Sequence, residues 1–286
     1  MDIGIGLPAW VPGIAGERLV QWARRAEGLG FASLGVLDRL AYDAYEPLVT
    51  LAAAAGATNR IRLTTSILIA AYRGDRTLLI KQLASLDRMS GGRLSVGVAA
   101  GGRNDDFDAA GTPFAGRGAR LESFVADLRA FCEGTGDSLV PGPRPNGGCP
   151  PILFGGHSET AMERAGRYGD GWIAGGSSAS GYGELADRAR KVWHAAGRPG
   201  EPRLVAIAYV ALGGAPALAE AETYLKDWYA FTGWKAEYAV RSVLPDEDRL
   251  RDFVAGYRTA GCDELILFPC VQDPAQADLI AAAVGL

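Results

Sequence analysis

The chain has 286 residues and a formal net charge of -4, from 29 Lys and Arg against 33 Asp and Glu. Hydrophobic residues make up 48% of the chain and charged residues 22%, a globular composition that argues against a disordered protein. The mildly acidic balance, without a block of basic residues, argues against nucleic-acid binding.

The first residues show no basic segment ahead of an apolar run, and no apolar run approaches the roughly 18 residues of a membrane helix. We therefore expect a cytoplasmic protein with no membrane partner. The four cysteines form no CxxC pair and no metal-ligand spacing, so free thiols are expected.

Short apolar runs alternate with amphipathic segments along the whole chain. Strands are predicted at 2–7, 33–37, 61–69, 93–98, 152–154, 171–174, 204–212 and 264–268. Helices are predicted at 17–29, 45–57, 78–89, 121–132, 217–229, 249–259 and 276–284, with helical segments also after the fifth and sixth strands. About eight strand–helix units predict an α/β fold that closes into a (β/α)8 barrel.

The alternative fold is an open doubly wound sheet, which would place a GxGxxG loop after the first strand. Here that strand runs into Leu7-Pro8-Ala9-Trp10, so the barrel is favoured. The alternation of strands and helices continues across a Pro/Gly-rich loop at 141–151. This continuity predicts one domain over residues 1–286. The aromatic segment 231–246 does not fit the rhythm and is predicted to be an insertion over one barrel mouth.

Active sites of such barrels lie at the C-terminal ends of the strands. This rule nominates Trp10, Asp38, Arg39, Ser66, Tyr72, Arg73, 101–104, 155–158, 175–177, Tyr209 and Pro269. No lysine stands at a strand end to form a Schiff base, and His157 and His194 make no metal cluster, so no metal is expected. A bound cofactor that supplies the reactivity is the economical interpretation.

A glycine-rich turn follows the fifth strand, with Gly155 and Gly156 before His157, Ser158 and Thr160. Glycines let the backbone approach a ligand, Ser158 can cap the following helix, and the N–H groups of a helix start attract a phosphate. The same residues also make an ordinary strand–helix turn. Both interpretations stay open on local grounds.

Two further strand ends are rich in glycine. Gly101 and Gly102 follow the fourth strand, where Asn104 could hydrogen-bond the polar edge of a flat ring. The alternative is a loop whose Asn and Asp side chains satisfy their own turn. Gly175 and Gly176 end the sixth strand, and together the three stretches suggest a floor kept clear for something large and planar.

Several motifs occur together in chain order. They are AEGLGF (26–31), TNRIRLTT (58–65), LDRMSGGRL (86–94), GVAAGG (97–102), Asp106-Phe107, GTPF (111–114), Arg117, PPILFGG (150–156) and GDGW (169–172). Over roughly residues 1–175 the chain resembles the bacterial luciferase-like flavin monooxygenases. The remainder matches only by its barrel rhythm.

The resemblance implies a TIM barrel, usually dimeric, that binds FMN or the deazaflavin F420 at the strand C-termini. It implies a bulge with a non-proline cis peptide at Ser66-Ile67, beneath the ring. The phosphate site maps to Gly102, His157, Ser158 and Thr160. The ring contacts map to Asn104 and the Gly175-Gly176 strand end.

The chain departs from this family at two positions. Many members carry a histidine that handles protons after an acidic residue at the end of the second strand, where this chain has Asp38-Arg39. Arginine stays protonated, so it can stabilise an oxyanion but cannot act as a general base. Asp38, Tyr72 or Tyr42 is expected to handle the proton. A phosphate-binding arginine of relatives falls on Ala100, for which Arg103 is the nearby substitute.

The leading functional prediction is an FMN-dependent monooxygenase that acts on a small organic substrate with reduced flavin and dioxygen. The first alternative is an F420-dependent hydride-transfer enzyme, with Arg73 and Arg103 as partners of the acidic cofactor tail. A flavin-binding carrier and a cofactor-free sugar-phosphate isomerase or lyase are further alternatives. The expected partners are a small-molecule substrate, a flavin or F420 reductase and a second copy of the chain, with no nucleic acid.

Overall fold

The computed structural model describes residues 1–135, 142–175 and 178–286. Its strands are β1 (Asp2–Gly6), β2 (Ser33–Val36), β3 (Arg62–Leu68), β4 (Leu94–Val98), β5 (Ile152–Gly155), β6 (Gly171–Gly175), β7 (Arg203–Val210) and β8 (Glu264–Pro269). Its helices are α1 (Gly16–Leu29), α2 (Pro47–Ala57), α3 (Arg76–Ser90), α4 (Asn104–Ala109), α5 (Arg117–Glu133), α6 (Glu159–Tyr168), α7 (Ala179–Ala195), α8 (Ala215–Trp228), α9 (Ala236–Arg241), α10 (Glu247–Thr259) and α11 (Ala275–Val284). Two short 3-10 helices lie at Ala70–Tyr72 and Ala230–Lys235.

The strands of the described chain pair in parallel and in sequence order, and β8 pairs with β1, so the sheet closes into a barrel. The closing register sets Ile5 of β1 beside Leu267 of β8. Closure confirms the predicted (β/α)8 barrel and excludes the open doubly wound sheet, which would leave two edges unpaired. It also brings the C-terminal ends of all eight strands to one face.

The core has two layers of buried apolar side chains. One fills the barrel and includes Ile266 and Phe268 of β8, while a larger one, with Leu63 of β3, lies between the strands and the helices. Phe268 fits inside because its neighbours on β1 and β2 are glycines. A Cβ atom on Gly6 would lie 2.2 Å from the Phe268 ring, and one on Gly35 would lie 2.9 Å from it.

The predicted insertion is present between α8 and α10. It contains the second 3-10 helix and α9, and it returns to the end of β7 at Leu244. There the Leu244 N–H donates to Tyr209 O at 2.9 Å, and the Ala211 N–H donates to Leu244 O at 3.0 Å. These two bonds fix the insertion over the C-terminal face of the barrel, as predicted.

The largest difference from the predicted bounds occurs at a helix start. The helix predicted from residue 45 begins at Pro47, because Glu46 is its cap and accepts the Val49 N–H at 2.7 Å. The amphipathic helix predicted from Leu121 begins at Arg117, where polar residues hid its first turn. Among the described residues, no helix is both long and apolar enough to cross a lipid bilayer.

Glu27 connects α1 to the turn that starts β3. Its carboxylate accepts the backbone N–H groups of Asn59, Arg60 and Ile61, the closest at 2.8 Å. Burial alone would raise the pKa of Glu27, but these three donors outweigh it and hold the pKa below its usual value. The ionised carboxylate therefore stabilises the fold.

We expect Glu27→Gln to lower the free energy of unfolding by about 1 kcal/mol, because a half-exposed carboxylate loses charge-assisted hydrogen bonds. A lowered pKa in the folded state means that this stability is present above the unfolded pKa and is lost as the pH falls through the folded pKa. Urea denaturation at pH 7 and pH 3 measures this. The difference between wild type and variant should shrink at pH 3. Glu17→Gln, on the same helix, is the control, and an equal effect of both variants would contradict this role.

Candidate functional site

Two adjoining cavities open at the C-terminal ends of the strands. The first, about 630 Å³, is lined by loops after β4 and β5 and by Arg117 and Arg164, and we call it the arginine cavity. The second, about 480 Å³, is lined by β6, β7 and the insertion and includes Tyr209 and Tyr229, and we call it the tyrosine cavity. Ile67 of β3 and Gly156 line both cavities.

The arginine cavity brings together most of the predicted phosphate residues. Gly101, Gly102, Ser158 and Thr160 line it. Ser158 caps α6, because its hydroxyl oxygen accepts the Ala161 N–H at 3.2 Å. The first N–H groups of a helix have no intrahelical partner, and the positive end of the helix dipole lies there, so this wall suits an anion.

Two arginines that were not predicted as cofactor residues complete this cavity. The Arg117 Nε donates to Gly101 O at 3.0 Å, and its guanidinium lies 3.8 Å from the centre of the Phe114 ring. The Arg164 Nε donates to Glu122 at 2.7 Å. Arg164 also crosses α5 over Gly118, where a Cβ atom would lie 2.2 Å from its guanidinium. Both side chains are thus held in place at the cavity wall.

The glycines at the strand ends were predicted to leave an open floor for a planar ligand, but isoleucine side chains lie against two of them. A Cβ atom on Gly155 would lie 2.2 Å from Ile67, and one on Gly175 would lie 2.4 Å from Ile207. These glycines therefore make room for isoleucine side chains, which form the cavity floor themselves. Gly102 is the exception, because a Cβ atom there would meet nothing within 4 Å.

The bulge expected in β3 is present. Pairing with β4 shifts register between Thr65 and Leu68, which turns Ile67 towards the barrel mouth. Ser66 is buried and its hydroxyl donates to Thr64 O at 3.3 Å. The Ser66-Ile67 peptide is not among the cis bonds of the described chain, so the expected cis bond is wrong. The bulge alone reorients Ile67, without the energetic cost of a non-proline cis peptide bond.

The tyrosine cavity is lined by His157, Gly175 and three tyrosines, two of which form a pair. The hydroxyl oxygens of Tyr209, on β7, and Tyr229, after α8, lie 2.7 Å apart. Burial lowers the pKa of His157, against a smaller contribution from the Gly175 backbone. Neutral imidazole is therefore the expected form at pH 7 and above.

One predicted ring contact, Asn104, does not reach this face. Asn104 is the first residue of α4, is exposed, and lines neither cavity. Asn104 does follow β4, as predicted, but as the first residue of α4 it lies outside the two cavities at the barrel mouth. Gly176 lies outside the described residues.

The predicted catalytic residues form a separate buried network. Asp38 accepts the Tyr72 hydroxyl at 2.5 Å, the Ile69 N–H at 2.8 Å and the Arg73 guanidinium at 3.2 Å. Burial raises the pKa of Asp38, and Arg73 and Tyr72 offset part of this. Burial raises the pKa of Tyr72 as well. Neither Asp38 nor Tyr72 lines the two cavities.

Arg39 is held on the other side of this network. It pairs with Asp105 and lies 3.6 Å from Asp106, and its guanidinium lies within 6 Å of the Tyr42 and Trp228 rings. Its side chain is 5% exposed and lines neither cavity. A catalytic role for Asp38, Arg39 or Tyr72 stays a prediction. In the structure Tyr72 donates to Asp38, whereas Arg39 pairs separately with Asp105.

Comparison with known proteins gives the family. The sequence model of the luciferase-like monooxygenases matches residues 4–260, which is most of the chain. The chain belongs to the luciferase-like monooxygenase family. This membership confirms the resemblance found in the sequence, and with the closed barrel it supports an oxidoreductase.

Two sequence relatives and one solved structure show what the chain is similar to. A Mycobacterium tuberculosis protein of uncharacterised function is 29% identical over 62% of this chain and 71% of its own length. An FMNH2-dependent dimethylsulfone monooxygenase of Pseudomonas fluorescens is 27% identical over 63% of this chain, which spans 58% of that protein. An F420-dependent secondary alcohol dehydrogenase, solved with an F420–acetone adduct, superposes with a TM-score of 0.81 at 18% identity, over 99% and 98% of the two chains.

The arginines proposed from the sequence as anion partners have other contacts in this luciferase-like protein. Arg73 pairs with Asp38 at 3.2 Å and with Glu46 at 2.9 Å. Arg103 lies 4.5 Å from the centre of the Phe231 ring and lines neither cavity. Arg117 belongs to the family motif, and Arg164 lies one helical turn beyond Thr160. These spacings were the signals that could have identified them.

Asp106 holds the segment after β2 against α4. Its buried Oδ1 accepts the N–H groups of Leu40 and Ala41 at 2.9 and 2.8 Å. We expect Asp106→Ala to lower the free energy of unfolding by about 2–4 kcal/mol, because it leaves two donors and the Arg39 charge without this partner. Urea denaturation measures the loss. Asp108→Ala, an exposed position on the same helix, should cost little, and equal midpoints for the two variants would contradict this role.

Proposed function

We propose that this chain is an FMN-dependent monooxygenase that acts on a small organic substrate with reduced flavin and dioxygen. The observation that carries the proposal is the arginine cavity, where the start of α6, Arg117 and Arg164 meet beside the open backbone of Gly102. This cavity adjoins the more apolar tyrosine cavity at Ile67, so a cofactor and a substrate can lie side by side.

The residues of the arginine cavity fit the phosphate end of a flavin nucleotide. Ser158, Thr160 and the first N–H groups of α6 supply hydrogen-bond donors, and Arg117 and Arg164 supply charge. The space beside Gly102 stays open because glycine carries no side chain. When bound, reduced FMN supplies the electrons for the reaction of dioxygen with the substrate. The chain would hold the phosphate with these residues, and Ile67, which lines the adjoining cavity as well, would support the ring.

Charge near the cavity favours FMN over F420. Glu122 binds Arg164, and Glu159 lies between the two cavity residues Ser158 and Thr160. The positive charge of Arg117 and Arg164 is therefore partly balanced by carboxylates. This balance suits a single phosphate group, whereas a long acidic cofactor tail would be repelled. Arg73 and Arg103, the expected partners of such a tail, have other contacts.

The proposal extends to partners that the sequence suggested. A separate reductase would supply the reduced flavin, since the chain shows no second nucleotide-binding motif of the GxGxxG type. Assembly with a second copy of the chain remains an expectation from the resemblance to the family.

Titration of the purified chain with FMN and with F420, followed by calorimetry, tests the cofactor. We expect FMN to bind at least tenfold more tightly, a difference of about 1.4 kcal/mol. A preference for F420 would turn the proposal to hydride transfer. Binding of neither at micromolar concentration would contradict the use of the arginine cavity by a flavin.

Ser158→Asp tests the phosphate position. We expect at least a tenfold weaker affinity for FMN, because a carboxylate at the cavity wall repels the phosphate. Ser178→Asp is a matched control, since Ser178 caps α7 and accepts the Gly181 N–H at the same 3.2 Å. Aspartate is as good a helix cap as serine, so both variants should keep their stability. Equal FMN affinities of the two variants would place the phosphate elsewhere.

A further inference from the structure

The wall of the tyrosine cavity is apolar apart from a few hydroxyls, His157 and backbone. Ile67, Ile173 and Ile207 supply much of it, and no Asp, Glu, Lys or Arg of the described residues lines it. Within it the hydroxyls of Tyr209 and Tyr229 form a pair, one from the barrel and one from the start of the insertion. A ligand in this cavity meets the pair as a polar feature in an apolar setting.

The hydrogens of this pair can be counted. Two hydroxyls carry two hydrogens, and the bond between them uses one. Within residues 1–135, 142–175 and 178–286, neither hydroxyl has a second hydrogen-bond partner. Burial raises the pKa of both, so both keep their proton at neutral pH. One O–H is left to donate, and a buried donor gains stability from an acceptor.

The other hydroxyls that the insertion brings to this cavity are engaged. Thr232 donates to Tyr229 O at 2.7 Å, and Ser242 donates to Ala239 O at 2.7 Å. Tyr238 is 59% exposed and so bonds readily to water. The tyrosine pair is therefore the buried side-chain hydroxyl donor available to a ligand among the described residues of this wall.

Arg103 lies behind the pair, outside the cavity lining. Its guanidinium is 5.8 Å from the Tyr229 ring centre, 5.2 Å from Trp228 and 4.5 Å from Phe231. Within the described parts of the chain no carboxylate lies within ion-pair distance of Arg103, and its buried Nε has no hydrogen-bond partner. An arginine remains protonated, so a positive charge without an ion-pair partner lies near the pair and makes its free O–H a stronger donor.

We propose that the Tyr209–Tyr229 pair, polarised by Arg103, binds the single carbonyl-type oxygen of a neutral and otherwise apolar substrate. The lining without charged side chains excludes an ionic ligand, because burial of an unpaired charge is costly. The proposal rests on the proposed function, in which the arginine cavity holds the cofactor. It places the donor to the substrate oxygen on β7 and the insertion, whereas the second strand carries Arg39 in a structural network.

The test uses 4-dimethylaminoacetophenone, a neutral aryl ketone whose absorption band moves to longer wavelength when its carbonyl oxygen accepts a hydrogen bond. We expect the full-length chain to bind it with such a shift. The double variant Tyr209→Phe/Tyr229→Phe, which leaves neither hydroxyl, should remove the shift and weaken binding about tenfold. Each single variant keeps one O–H that can still donate, so each should retain part of the shift.

Two further variants separate donation from packing. Arg103→Met keeps a long side chain against the rings but removes the charge, so it should reduce the shift and leave most of the affinity. Tyr238→Phe removes a hydroxyl from the same cavity and should change neither quantity. Binding without a spectral shift, or an equal loss of shift in Tyr238→Phe, would overturn the proposal.

The ketone titration is independent of the cofactor. A hydrogen-bonded ketone in a chain that binds neither FMN nor F420 would support the tyrosine pair and contradict the proposed function. Normal FMN binding with no bound ketone would do the reverse. Urea denaturation of each tyrosine variant ensures that a lost signal does not reflect unfolding.

Discussion

Closure of the sheet is the constraint on which the rest of this structure depends. Because β8 pairs with β1 and all strands run in parallel, every strand ends on the same face. Residues far apart in the chain, such as Gly102 and Ser158, then line the same cavity. Closure in turn requires a filled interior, and glycines opposite Phe268 permit that filling. The cavities therefore rest on a rigid and densely packed floor.

The sequence predicted the barrel, the insertion and the phosphate-type wall, because periodicity, strand ends and helix caps are local signals. Ser158 could be found this way, since a serine before a helical pattern is a cap wherever the helix goes. The bond between Tyr229 and Tyr209 could not, because it depends on how the insertion packs against the barrel. Asn104 was predicted as a ring contact because it follows β4. It lies outside both cavities because it is the first residue of α4.

Arg39 stands at the position where many members of the family carry a histidine. Its contacts show how an arginine behaves at this place in the barrel. Arginine at position 39 has enough donors to hold carboxylates of α4 and the Trp228 carbonyl, so it ties the β2 loop to its neighbours. A side chain used in this way is no longer free to meet a ligand. Polar groups for chemistry must then come from other strand ends, and β7 supplies the buried hydroxyl closest to the insertion.

Ile67 stands on the bulge of β3 and is shared by both cavities. It therefore lies between the two cavities, which are separated there by a single side chain. A smaller residue there would widen the opening between the two cavities and a larger one would narrow it. Either change would alter the wall of both cavities at once, so the size of this one side chain couples the two occupants. A barrel with this arrangement can acquire new substrates by single-residue steps.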